Sequence, residues 1–176
     1  MRKLILSKRW IIWLILLYGF LLTATDLDRP AAFVDEAFHI NIGRQLMDGT
    51  ACPGCPFATG YVFLHPVLAA LGDAAGGLEG ARMVNVILGL CLIFFIYVTG
   101  RILFSENIGL LAAALFVFSG QTPYLMKLAT YDMTAAFFLG ASMMFLALSF
   151  RAGTGLRRSG ALTASMILLF LASITK

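Results

Sequence analysis

The side chains best placed to do chemistry lie in Val34-Asp35-Glu36-Ala37-Phe38-His39. Two carboxylates adjoin here, and an imidazole follows one helical turn after the first. If Asp35 opens a helix that runs to Met47, successive residues step by about 100°. His39 then lies about 40° from Asp35, and Phe38, Ile42 and Leu46 fall on the same side. That stripe must dock on something, and it carries Asp35 and His39 with it. Glu36 is expected to point further round, and Arg44 lies nearly opposite. The competing reading is a plain helix start, with Asp35 capping, Glu36 suiting the dipole and His39 pairing locally.

Other candidates are scattered. Tyr131-Asp132 puts a second acid at a helix start beside an apolar run. A near-membrane acid is a functional candidate, and a helix cap is the bland alternative. His65-Pro66 follows the aromatic stretch Tyr61-Val62-Phe63, and the proline suits the first turn of a new helix. Alone, His65 reads more readily as a satisfied interface histidine. Cys52-Pro53-Gly54-Cys55 predicts a tight turn closed by a disulfide in an oxidising compartment. A thioredoxin-like role would need a βαβ setting, and a zinc site would need two more ligands. Asp35-Glu36-Ala37-Phe38-His39 fails the zinc-protease helix pattern at its first ligand. Cys91, inside an apolar run, reads as a packing residue.

Composition says what must position these groups. Of the 176 residues, 60% are hydrophobic and 12% are charged, with a mean hydropathy of +0.91. These values describe an integral membrane protein. The net charge of +4 does not point to nucleic acid, because the basic residues cluster at span ends. Met1 to Arg9 holds Arg2, Lys3, Lys8 and Arg9 and no acid. The uncharged runs are 10–25, 83–100, 107–126, 133–150 and 159–175, each near the length needed to cross a bilayer. The first, extended by Leu4-Ile5-Leu6, reads as an uncleaved anchor. A cleaved signal peptide is disfavoured because Leu22-Thr23-Ala24 lacks the small-x-small pattern.

Residues 26–82 carry seven of the nine acids, and positive-inside bias places this loop outside. The segments left for the cytoplasm hold Arg2, Lys3, Lys8, Arg9, Arg101, Arg151, Arg157 and Arg158 against Glu106 alone. The expected fold is therefore all-α and polytopic, with about five transmembrane helices. Their spans are about 5–25, 83–100, 107–126, 133–150 and 159–175, and the N-terminus is cytoplasmic. One long external loop, 26–82, carries a juxtamembrane amphipathic helix. Ala136 and Gly140 suit close helix packing. The apolar run ending at Lys176 suggests the N-terminal part of a longer membrane protein.

In order and topology the chain resembles the GT-C glycosyltransferases, in particular the group of protein O-mannosyltransferases and aminoarabinose transferases. The resemblance rests on Asp35-Glu36 after the first span and on Gly43-Arg44 along the following helix. It continues through His65-Pro66-Val67-Leu68, where Val67 replaces a second proline, and Arg82-Met83-Val84-Asn85. It ends with Pro123 followed by Ala129-Thr130-Tyr131-Asp132. No single element is specific, and the order is what carries the likeness. The resemblance implies transfer of a sugar from a polyprenyl-phosphate donor to an acceptor hydroxyl on the external face. Asp35, Glu36 and Asp132 take the catalytic positions, with His39, Arg44, His65, Arg82 and Lys127 toward substrate. A carboxylate of ordinary pKa about 3.9 can serve as base only as charge develops in the transition state. The leaving phosphate needs Arg82, Lys127 or a divalent metal held on the acids, Asp35 among them; no other cofactor is expected. The implied partners are the lipid-linked donor, membrane lipid and other membrane subunits. The rival reading is a non-catalytic membrane subunit, or a truncated remnant, whose external loop docks a partner. A transporter ranks last, because no span interior carries an acid or a histidine.

Overall fold

The computed structural model describes residues 8–28, 33–50 and 64–175. These residues form seven α-helices and no strand. They are α1 (Arg9–Ala24), α2 (Val34–Met47), α3 (Leu64–Leu103), α4 (Glu106–Phe118), α5 (Gln121–Met126), α6 (Tyr131–Arg151) and α7 (Leu156–Ser173). The all-α expectation holds. The Cys52–Cys55 turn lies outside the described residues.

Helix α3 organises the rest. It has two arms, because Gly76 and Gly77 leave helical geometry and Gly77 takes φ of 64°. Left-handed backbone of this kind is open to glycine at little cost. The turn is sharp enough that a Cβ on Gly72 would lie 2.6 Å from Gly80 O. The first arm, 64–75, therefore folds back along the second, 78–103. So residues 26–82 are not a simple loop: they hold α2 and a short helical hairpin arm.

The second arm of α3 packs on α1, α4 and α6. Ile12, Val86, Ile93, Tyr97, Ala113, Val117, Met126 and Met133 form the main apolar core. Gly140 lets α6 approach α3, since a Cβ there would run into Leu92. Gly100 and Gly109 let α3 and α4 cross closely, with Gly109 Cα 2.8 Å from where a Gly100 Cβ would sit.

Helices α3 and α6 are long and apolar enough to cross a membrane. Only 28% and 33% of their most apolar stretches are buried inside the chain. A core helix of a water-soluble domain would be mostly covered, and these are not. The run 107–126, expected as one helix, is broken. Helix α4 ends at Phe118, Gly120 turns with φ of 70°, and α5 is a separate short helix. The expected spans 133–150 and 159–175 fall largely within α6 and α7.

Candidate functional site

Helix α2 meets the first arm of α3 along Glu36, His39, Ile40 and Gly43. The spacing is that of one helical face. Gly43 sets the approach, because a Cβ there would sit 2.6 Å from the Pro66 carbonyl carbon and 2.7 Å from Ala70 Cβ. The buried stripe is thus rotated from the one expected through Asp35, Phe38, Ile42 and Leu46. Glu36 points inward and is fully buried, and Asp35 is exposed. Counting apolar residues placed the acid outside. A charge can join the core face if every lone pair is met, and here each one is.

Glu36 accepts two hydrogen bonds from Arg82, at 2.8 Å from Nε and 2.7 Å from Nη2. It also accepts from the Ala129 N–H at 2.8 Å and the Phe33 N–H at 2.9 Å. The last bond caps the start of α2, so Glu36 rather than Asp35 serves that helix end. Arg82 is itself fully buried and also donates through Nη1 to Leu27 O. One ion pair therefore joins four segments: the end of the α1 connection, α2, α3 and the stretch before α6. Burial works against the charge on Glu36. Arg82 and the two backbone N–H groups outweigh it and hold the pKa below the ordinary 4.5.

The stretch 127–130 is clamped from three sides. Glu36 takes the Ala129 N–H, and His65 Nε2 lies 3.0 Å from the Ala129 carbonyl. Asn85 donates to the carbonyls of Leu128 and Thr130. A carbonyl only accepts, so His65 carries its proton on Nε2. Its Nδ1 then accepts from the Thr134 hydroxyl at 2.8 Å. His65 is fully buried with both nitrogens engaged. The clamp fixes the backbone immediately before Tyr131-Asp132, and it thereby sets where the exposed Asp132 stands.

His39 lies between the two exposed acids. Its ring is 6% exposed and makes edge contacts with His65 at 5.1 Å and Tyr131 at 5.4 Å between centroids. Burial lowers its pKa below the ordinary 6.5, against the pull of Asp35 and Asp132. The imidazole is therefore neutral near pH 7.

Several expected site residues take other places. Arg82, expected to face a phosphate, is committed to Glu36 inside the protein. His65 is a structural lock. Glu36 is a buried tie and does not reach solvent. Arg44 is exposed and pairs with Asp73 of the first arm of α3. Lys127 is half-buried at the end of α5. Asp35, His39 and Asp132 are brought together. The described residues contain no group of three or more His, Cys, Asp or Glu side chains that could hold a metal ion.

Thr134 was missed in the sequence, and Asn85, Ala129 and Tyr131 were quoted there without a role in the site. Asn85 and Thr134 did carry a signal, because each is a polar side chain near the start of a long apolar run. Such a group needs a partner when buried. No family model, no curated protein and no solved structure matches the chain.

Proposed function

We propose that this chain forms the acid-bearing part of a multi-pass membrane glycosyltransferase. It would move a sugar from a polyprenyl-phosphate donor to an acceptor hydroxyl on the external face. The observation that carries the reading is the meeting of Asp35 and Asp132 at His39. Each acid stands in the first turn of its own helix, exposed, above a buried clamp that fixes both helix starts. The family likeness in residue order agrees with this placement.

In this proposal five crossings are made by α1, the second arm of α3, α4 with α5, α6, and α7, with the N-terminus cytoplasmic. Two contacts support that alternation. Lys8 Nζ donates to Asn107 Oδ1 at 2.8 Å, which puts the starts of α1 and α4 at one end. Glu36, Arg82 and Ala129 meet at the other. Asp35 and Asp132 then share the external end, where a lipid-anchored sugar can reach water while its tail stays in the bilayer.

Asp35 takes the acceptor's proton as the hydroxyl attacks the anomeric carbon, and the phosphate leaves with the bonding pair. Asp132 holds negative charge beside the sugar as positive character grows there. Arg82 is committed to Glu36, so among the described residues we assign the phosphate to Lys127.

The test is sugar release from a radiolabelled polyprenyl-phosphate donor by the protein in membranes. Asp35→Asn keeps shape and removes the basic oxygen, so turnover falls by about two orders of magnitude or more. Donor binding changes far less. Wild-type turnover in Asp35→Asn at equal protein level would overturn the assignment.

A further inference from the structure

Three buried polar atoms near the start of α6 have no hydrogen-bond partner: His39 Nδ1, Asn85 Oδ1 and Thr130 Oγ1. Buried polar groups are almost always paired, and the neighbours of these three are. Glu36, Arg82 and His65 are paired, as is the Asn85 amide nitrogen. The three atoms belong to one locality. Asn85 bonds the Thr130 carbonyl, and the His39 ring lies against Tyr131, the next residue. Thr130 is the residue before α6, yet its hydroxyl makes no capping bond. His39 cannot easily turn away to find a partner, since Phe38, His65 and Tyr131 hold its ring on three sides.

The chemistry of the orphans restricts what could satisfy them. Asn85 Oδ1 only accepts, Thr130 Oγ1 does both, and a neutral imidazole nitrogen does one or the other. A hydroxyl both donates and accepts, so it can serve all three. A phosphate or carboxylate oxygen cannot donate to Asn85 Oδ1, and Asp35 and Asp132 repel it. The titratable groups around the ring are Asp35 from α2, His65 from α3, and Tyr131 and Asp132 from α6. Glu36 and Arg82 beneath it neutralise each other. Asp35 and Asp132 thus disfavour an anionic group against the His39 ring, and Lys127 is the described cation nearby in the chain.

We propose that His39 and Thr130, with Asn85 behind them, form a subsite for an uncharged, polyhydroxylated group. His39 Nδ1 and Thr130 Oγ1 hydrogen-bond its hydroxyls, and the phosphate of the same ligand lies elsewhere. This rests on the glycosyltransferase reading and assigns the sugar, rather than the phosphate, to this end of the site.

The chain contains two histidines, so ¹⁵N-histidine labelling in lipid nanodiscs reads His39 directly, with His65 as a fully bonded reference. The probes are a short-chain prenyl-phosphate hexose and the same prenyl phosphate without sugar, with binding followed by calorimetry. The hexose probe is expected to shift the His39 Nδ1 signal and leave His65 in place, and the bare prenyl phosphate is expected to shift neither. Thr130→Val keeps shape, loses the hydroxyl and should weaken the hexose probe about tenfold while leaving the bare lipid phosphate unchanged. Binding of the hexose probe with His39 unmoved overturns the subsite and leaves the enzyme reading standing. Equal shifts from both probes place the phosphate here and also overturn it. Failure of the hexose probe to bind removes both readings.

Discussion

The Glu36–Arg82 pair makes the sharpest prediction, because its cost can be worked out bond by bond. Glu36→Gln is nearly isosteric, and it converts one carboxylate oxygen into an NH₂ group. If the oxygen facing Arg82 Nε and Ala129 is kept, the new amide nitrogen faces Arg82 Nη2 and the Phe33 N–H. Two hydrogen bonds become donor-to-donor contacts. Flipping the amide only moves the conflict to the other pair. The guanidinium, fully buried, also loses its counter-charge. Removing one partner of a buried ion pair costs about 3–5 kcal/mol, a large share of a typical stability of about 5–15 kcal/mol. The assay is SDS-induced unfolding in mixed micelles, followed by circular dichroism. Glu36→Gln and Arg82→Gln should each lose several kcal/mol. The double variant, which leaves no buried charge, should lose less than the sum. A Glu36→Gln protein within about 0.5 kcal/mol of wild type, the range of ordinary surface changes, would refute the claim that this pair ties the four segments together. The contrast with Asp35 matters as much. Asp35→Asn should leave the unfolding curve where it is and act on turnover alone.

Acidification should destabilise the fold through His39, His65 and Glu36, all with the same sign. The pKa values of His39 and His65 are lowered in the folded state by burial, that of His65 to about 4, so below about 6.5 the unfolded chain takes up both protons first and stability falls with pH. The pKa of Glu36 is also lowered, so its contribution is present above about 4.5 and is lost as the pH drops through the folded value. SDS-unfolding midpoints measured across this range should fall less steeply below about pH 6.5 in His39→Gln, with the His65 share remaining, and a slope equal to that of wild type would contradict the burial of the His39 ring. Gly43→Val puts a branched side chain against the Pro66 carbonyl and Ala70, so α2 should leave α3 and expose residues 34–47 to limited proteolysis; wild-type protection would show that the close approach is dispensable. For topology, single cysteines at Asp48 and Thr154 in a background without the native cysteines should label oppositely with an impermeant reagent in intact cells. Asp48 is expected to react and Thr154 to be spared, and the reverse pattern would turn the proposed orientation over.

How far the site was legible depends on which physical signal each residue carried. The apolar runs were readable because bilayer-length hydrophobicity is a sum over many residues and survives local error, so α3 and α6 appear where charge is absent. The break at Gly120 was not, since the run 107–126 has no charge to mark it and a single left-handed glycine ends the helix. The nearness of Asp35 to His39 followed from spacing, whereas Asp132 was singled out only as an acid at a helix start, and its meeting with His39 depends on packing between helices. The roles of the two adjacent carboxylates were exchanged, for a reason the sequence does contain. A helical wheel weighted by hydrophobicity turns an acid outward, but Arg82 was equally anomalous at the start of an apolar run. Two opposite charges, each costly to bury alone, are tolerable when buried together with their remaining lone pairs and protons met. Read as a pair, Glu36 and Arg82 locate each other across 46 residues, and Asn85 one turn further along α3 marks the same interface. Asp35 is then the carboxylate that faces solvent. The acid that holds the fold and the acid that faces solvent can be neighbours in sequence because adjacent helix positions lie about 100° apart.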